Sequence, residues 1–511
     1  MAVPFVLATL ARRGLLRPGP PADLIRQLTA LRRWGFGLAG ELRQAAARDP
    51  ERVAVVDERR AVTYRDLLER AGRLARALRG TVRVEPGDRV GVLCRNSAAM
   101  IETLVAVTSL GADAVLINTG LSGPQLSTVA REQQLRALIH DDEFELPKGL
   151  DGIGAARLDE LINEAPPGEL TPPEHAGRTI VLTSGTTGVP KGALRRTPGG
   201  FGPLCSMIDR IPLRAGDRVL IAAPLFHTWG YAGLQIALAL RATVVLRRRF
   251  EPVAVSAAMV REQCTAMIAV PVMLQQLMEQ VPAGRRPPLR VVAVSGSALP
   301  GGLATRFMDR YGGVLYNVYG STEVSWASIA TPADLRAAPN TAGRPPHGTR
   351  TVVLDEAGRP LPTGTVGRLF VGNEMLFDGY SNGTSRERHH GLLATGDLGH
   401  LDAAGRVFVD GREDDMIVSG GENVFPAEVE NLLAGLPQIR EVAVIGVPDA
   451  RYGERLAAYL VPQPGEILGP EQVRDHVRRH LARFCVPRDV VFLPSLPRNA
   501  TGKVLTRDLP R

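Results

Sequence analysis

Residues Ile180–Gly192 read IVLTSGTTGVPKG, and the rest of the chain is read outward from them. Ile180, Val181 and Leu182 form a short apolar run, the pattern of a buried strand. It opens into a loop of hydroxyls and glycines: Thr183, Ser184, Gly185, Thr186, Thr187 and Gly188. Pro190 then stiffens the approach to Lys191. Glycines let backbone N–H groups turn toward an anion, hydroxyls add donors, and a lysine adds charge, so the fitting ligand is a polyphosphate. It is not a Walker A loop, which needs Ser or Thr after Gly-Lys; here Gly192 follows Lys191. A strand on one side and Pro-Lys-Gly on the other argue against a plain Ser/Thr/Gly linker.

At 511 residues the chain exceeds one compact core, so two or more domains are expected. The net charge of +8 is not gathered into basic runs, which disfavours a nucleic-acid role. Of 61 Lys and Arg residues, only 148, 191 and 503 are lysine. Under such pressure toward arginine, a retained lysine is a candidate for work arginine cannot do. Lys191 sits in the phosphate loop and Lys503 in a glycine-containing turn near the C-terminus; Lys148 lies in an ordinary polar loop. Cysteines 94, 205, 264 and 485 are far apart, with no disulfide framework or thiolate metal site, which fits a reducing cytoplasm. His476 and His480 lie four apart without HExxH and read as a solvated helix face.

Before the loop, residues 1–45 form a basic N-terminal arm, with a helix expected over Asp23–Leu42. It reads either as packed on the main domain or as an amphipathic element touching an anionic membrane. No apolar run is long enough to span a bilayer, and no basic residue precedes the first one as in a signal peptide. From about residue 50, strands and helices alternate, arguing for α/β layers with mostly parallel strands. Residues 141–178, acidic and Pro-rich, read as a surface connection.

After the loop, His227 stands between aromatic and apolar residues, ahead of an apolar helix over Ala232–Leu240. Two apolar strands end in small and polar residues: Ser295, Gly296, Ser297, Ala298, and Tyr319, Gly320, Ser321, Thr322, Glu323. Open parallel sheets bind ligands at such strand ends. Glu323 is a candidate magnesium ligand, since hard cations favour carboxylate oxygen, and Asp397 can take two ribose hydroxyls. Residues after Asp414 read as a compact α+β unit ending at Arg498–Lys503.

Together TSGTTGVPKG (183–192), YGSTE (319–323), TGD (395–397), GREDD (411–415) and NATGK (499–503) resemble the adenylate-forming superfamily of acyl-CoA synthetases, luciferases and adenylation domains. The resemblance runs from about residue 50 to the end. It implies a large N-terminal adenylation domain (46–413) after the arm (1–45), and a small mobile α+β C-terminal domain (414–511). It implies that Thr183 to Lys191 hold the ATP phosphates, that Gly296, Ser297 and Ala298 lie against adenine, and that Tyr319, followed by Gly320, stacks on it. Thr322 is implied to contact the α-phosphate, Glu323 to bind Mg2+, and Asp397 and Arg412 to hold the ribose. His227 matches the aromatic-motif histidine beside the carboxylate and pantetheine tunnel, and Asp414 the hinge. Lys503 matches the lysine of the first half-reaction, and Ser419, Gly420 and Gly421 the loop lining the pantetheine tunnel in the second.

The chain departs from the family in having Leu393 and Ala394 before TGD, and GALRRT after Lys191. With the SGGEN loop and basic arm, that variant is similar to actinobacterial fatty-acid–CoA ligases. The expected reaction joins a fatty acid to coenzyme A through an acyl-adenylate, using ATP and Mg2+. The acyl pocket is expected to be apolar, lined by 227–237, 268–274 and 294–299, with no fixed cation or acid. An aryl-acid–CoA ligase and a fatty-acyl-AMP ligase loading a carrier protein are the alternatives. A non-catalytic acyl-nucleotide binder is disfavoured, because binding alone does not need both Lys503 and Glu323. The expected location is cytoplasmic, at most peripheral to the inner face of the membrane, and a homodimer is left open.

Overall fold

The computed structural model describes residues 3–17, 19–166, 168–183, 191–282, 286–419, 422–449, 453–499 and 502–510. The expected α/β fold, with mainly parallel sheets and a smaller C-terminal unit, is the one observed. The largest sheet has eight strands. Six run parallel, in the order Leu315–Tyr319, Val291–Val294, Ala266–Ala269, Arg218–Ile221, Thr243–Leu246, Val53–Val56. Antiparallel Ser328–Ala330 and Ala61–Thr63 close its edges. Their four-residue Val/Ile/Ala runs are buried along their length, as strands covered on both faces must be.

A seven-stranded sheet carries the strand that begins the Ile180–Gly192 stretch. Thr179–Thr183 runs parallel to Asp113–Leu116, and Lys191–Leu194 returns antiparallel in the register Thr183↔Lys191. Residues 184–190, with Ser184, Gly185, Thr186, Thr187 and Gly188 among them, lie outside the described residues. Helices Ala98–Ser109 and Thr228–Ala239, apolar nearly all round, fill the shared core. A third, antiparallel sheet includes Leu392–Leu401 and Val407–Arg412. The C-terminal sheet pairs Ile439–Asp449 with Gly453–Pro462, under helices Pro426–Ala434 and Pro470–His480 around its own core.

Three local expectations change. The helix expected over Asp23–Leu42 is two helices, Pro21–Trp34 and Leu38–Arg48, because Gly35 takes φ 75° and ends the first. The second helix buries Leu38, Leu42 and Ala45 in the main core, so the arm's last turns belong to that core. The segment 141–178 contains a helix, Ala155–Glu164, that buries Leu158, Leu161 and Ile162. Their i, i+3, i+4 spacing is a helical stripe that the surrounding prolines and acids mask.

The four cysteines are free and buried. Among the described residues no helix is long and apolar enough to cross a membrane.

Candidate active site

The strand ends at Ser295 and Tyr319 open on a cavity of about 1870 Å3 between the sheets and the C-terminal unit. Lys191, His227, Gly296, Ser297, Ala298, Tyr319, Gly320, Thr322, Glu323, Asp397, Arg412 and Lys503 all line it. Residues more than 300 positions apart in sequence thus converge on one space. Thr183 ends the strand beside Lys191, and its side chain lies outside the described residues, as do those of Asp414 and Ser419 and the whole of Gly420 and Gly421.

Asp397 and Arg412 face each other across neighbouring strands, in register, with Arg412 Nη1 3.8 Å from Asp397 Oδ1. Tyr319 donates its hydroxyl to Asp397 Oδ2 at 2.6 Å. Burial, then the Asp397 charge, holds the Tyr319 phenol well above its ordinary value, so it stays a donor. One aromatic face, one carboxylate and one guanidinium are therefore fixed around the same corner, a set suited to a base and a ribose.

Glu323 is nearly buried and accepts a 2.6 Å hydrogen bond from Tyr380 at Oε1. The Lys191 ammonium lies 5.8 Å from the centre of the Tyr380 ring. Tyr380 thus stands between the Lys191 ammonium and the Glu323 carboxylate, a position its sequence surroundings do not signal. Among the described residues no group of three metal-ligating side chains occurs. A lone, nearly buried carboxylate fits Mg2+ that arrives with nucleotide phosphates, which takes one or two carboxylates and leaves its other positions to phosphate oxygen and water.

Thr322 and Thr228 share a hydroxyl hydrogen bond of 2.9 Å, tying the strand end to the start of helix Thr228–Ala239. His227 precedes that helix without a side-chain cap bond and lies against Gly296; its Nδ1 has no partner among the described residues. Burial, with the Arg195 charge second, pushes its pKa down to about 4, so the imidazole is neutral at pH 7.

The expectation of no fixed charge in the pocket is corrected: Arg195 and Glu41 both line the cavity. Arg195 donates to Ser325 Oγ at 2.9 Å, and burial lowers its pKa while Tyr231 and Glu323 raise it. The arginine in GALRRT was its one sequence signal; Glu41 had none.

Lys503 enters from the C-terminal unit on a turn. Its amide donates to Asn499 Oδ1 and its carbonyl accepts from the Asn499 amide, both at 2.9 Å. Arg498 grips the Gly502 carbonyl at 2.7 Å and pairs with Glu441. Gly502 has φ 82°, and a Cβ there would lie 2.5 Å from Val272 of the large unit, so only glycine lets the turn approach so closely.

Family models match along the same frame. The model for AMP-binding enzymes matches residues 42–381, and that for the AMP-binding enzyme C-terminal domain matches 428–503. The chain is 34% identical over 485 residues to a feruloyl-CoA synthase of an Amycolatopsis species, covering 91% of this chain and 97% of that protein. It is 34% identical over 492 residues to the indoleacetate–CoA ligase of Aromatoleum aromaticum, covering 91% and 96%. The o-succinylbenzoate–CoA synthetase of Bacillus subtilis, solved with its acyl-adenylate, superposes with a TM-score of 0.82 at 30% identity, covering 92% of this chain and 98% of that one. The chain belongs to the AMP-binding, adenylate-forming acyl- and aryl-CoA ligases. It is an AMP-forming acid–thiol ligase that works on a carboxylic acid, ATP with Mg2+, and CoA through an acyl-adenylate.

Proposed function

We propose that the acid is an elongated aliphatic one, a fatty acid of medium or long chain. The observation that carries this is the cavity-facing stripe of helix Thr228–Ala239. Thr228, Ala232, Gln235, Ile236 and Ala239 line the cavity, and their spacing puts them on one helical face. From Thr228 to Ala239 the helix rises about 16 Å at ~1.5 Å per residue. An extended chain advances roughly 1.25 Å per carbon, given C–C bonds near 1.5 Å, so the stripe matches about a dozen carbons. A second reading, an aryl acid, is favoured by the relatives named feruloyl-CoA synthase and indoleacetate–CoA ligase.

In this proposal the loop from Thr183 to Lys191 holds the ATP phosphates, Gly296, Ser297, Ala298, Tyr319 and Gly320 the adenine, and Asp397 with Arg412 the ribose. Thr322 orients the α-phosphate, and Glu323 holds Mg2+, which supplies charge to the polyphosphate. Two anions must meet when the carboxylate attacks the α-phosphate; Lys503 offsets that repulsion at the point of contact. Pyrophosphate leaves. The C-terminal unit then turns about Asp414, bringing Ser419, Gly420 and Gly421 to the tunnel, and the CoA thiolate displaces AMP from the acyl carbonyl. Neutral His227 borders that tunnel without adding charge.

Pyrophosphate release with purified protein, ATP and Mg2+, across fatty acids of graded length and substituted benzoates and cinnamates, tests the reading. Release that peaks near a dozen carbons, and yields thioester only with CoA, is expected. Release with ring acids alone would move the substrate to the aryl class.

We also propose that the arm touches an anionic bilayer. Leu24, Ile25 and Leu28 are exposed on helix Pro21–Trp34, which carries Arg26, Arg32 and Arg33. Leu7 and Leu16 are exposed nearby, while Arg12 and Arg13 pin the first helix to Asp209 and the Ile208 carbonyl. An outward apolar strip flanked by arginines suits anionic headgroups over a fatty-acid source. The protein should float with phosphatidylglycerol vesicles and not with phosphatidylcholine ones. Leu24→Ser with Ile25→Ser and Leu28→Ser should abolish flotation; equal binding to both vesicle types would rule the contact out.

A further inference from the structure

The acyl cavity ends on an acid. Glu41, on helix Leu38–Arg48, lines the cavity together with Gln235, Ile236 and Ala239, at the end of the stripe farthest from Thr322. It is 4% exposed. Gln44 Nε2 donates to Glu41 Oε2 at 3.2 Å and is shared with the carbonyls of Leu238 and Ala239 at 3.3 Å each, which close helix Thr228–Ala239. Gln27 Nε2 in turn donates to Gln44 Oε1 at 3.0 Å. Two glutamines and two carbonyls therefore fix the carboxyl in place. The nearby cation, Arg241, is bound to Asp49 at 3.1 Å. Glu41 Oε1 takes no hydrogen bond from any described residue.

A polar atom held rigidly beside Ile236 and Ala239 in the cavity wall has a consequence for what fills the space against it. A methyl end packed against Oε1 would strip its water and return no hydrogen bond, which is unfavourable. A hydroxyl at that depth replaces the water. It can both donate and accept, so it pairs with the carboxyl whether that group carries its proton or not. Burial raises the Glu41 pKa to about 8, so near pH 7 the group is mostly neutral and does not call for a cation.

We propose that Glu41 is a specificity-determining residue at the far end of the acyl cavity, and that it selects carboxylic acids bearing a hydroxyl about a dozen carbons from the carboxylate. This rests on the elongated-acid reading above. Gln235, one turn before the end of the stripe, donates to the Phe36 carbonyl at 3.3 Å, which leaves its own carbonyl oxygen as a second acceptor at that depth.

The test compares dodecanoic acid with ω-hydroxydodecanoic acid, as kcat/KM for CoA thioester formation by the full-length protein. The wild type should prefer the hydroxy acid by roughly tenfold or more, the worth of one buried hydrogen bond to a site built for it. Glu41→Leu should reverse that preference, lowering turnover of the hydroxy acid and raising that of the plain acid. Glu41→Gln, which keeps a polar partner, should retain preference for the hydroxy acid, and its thermal melt shows whether the packing survives. A wild-type ratio near one, or the same ratio in Glu41→Leu, overturns the proposal. Turnover of ring acids with neither dodecanoic acid accepted overturns the elongated-acid reading first, and is seen in the wild type alone.

Discussion

Replacing Lys503 by alanine is expected to slow acyl-adenylate formation by about 10²–10³ while leaving thioester formation from preformed acyl-adenylate within about tenfold of wild type. The asymmetry follows from where the lysine sits. Its turn is held by Asn499 and Arg498, and Gly502 presses it against Val270 and Val272, so the ammonium is delivered to the cavity in this one arrangement of the two units. Charge there matters when carboxylate meets phosphate, not when a thiolate meets an acyl carbonyl. Lys503→Arg should recover little, because a planar guanidinium does not replace a compact ammonium on a turn packed this tightly. Pyrophosphate exchange reports the first half-reaction; single turnover with synthetic adenylate and CoA reports the second. Equal losses in both would mean that Lys503 supports the fold of its unit and not the chemistry.

Asp397→Ala should raise the KM for ATP by roughly tenfold to a hundredfold, the range for losing charge-assisted hydrogen bonds. The mutation does three things at once. It removes the acceptor of the Tyr319 hydroxyl, leaves the neighbouring Arg412 guanidinium without its facing charge, and takes away the proposed ribose contact. Tyr319→Phe, which removes the hydroxyl alone, should cost much less and separates the first effect from the third. If KM for ATP stays put in Asp397→Ala while the melting temperature falls, the carboxylate is a structural tie between sheets.

Much of this site could be read from the chain because its parts are local. A strand that stops at Val294 or Val318 and runs into small and hydroxylated residues announces a ligand-facing end. Of three lysines surviving among so many arginines, Lys191 and Lys503 were marked by their surroundings, and both line the cavity. What escaped is what long-range packing decides. Tyr380 reaches Glu323 from 57 positions away, Arg195 reaches Ser325 from 130, and Gln44, which holds Glu41, meets the end of a helix nearly two hundred residues later. No periodicity carries such information. The apolar pattern runs unbroken over Gly35, and only a glycine at positive φ shows that the helix stops there.

The C-terminal unit touches helix Pro271–Gln280 through polar contacts. Arg440 pairs with Glu279 at 2.8 Å, and Gln275 donates to the Arg440 carbonyl at 3.0 Å. Both ends of the ion pair are partly open to water, where such a bond is worth about 0–1 kcal/mol and weakens with salt. The ion pair is thus the salt-sensitive part of this contact, beside the apolar packing of Gly502 on Val270 and Val272. In the two-step cycle proposed above, ionic strength then sets how firmly this contact persists, and salt is expected to change the interval between the two half-reactions.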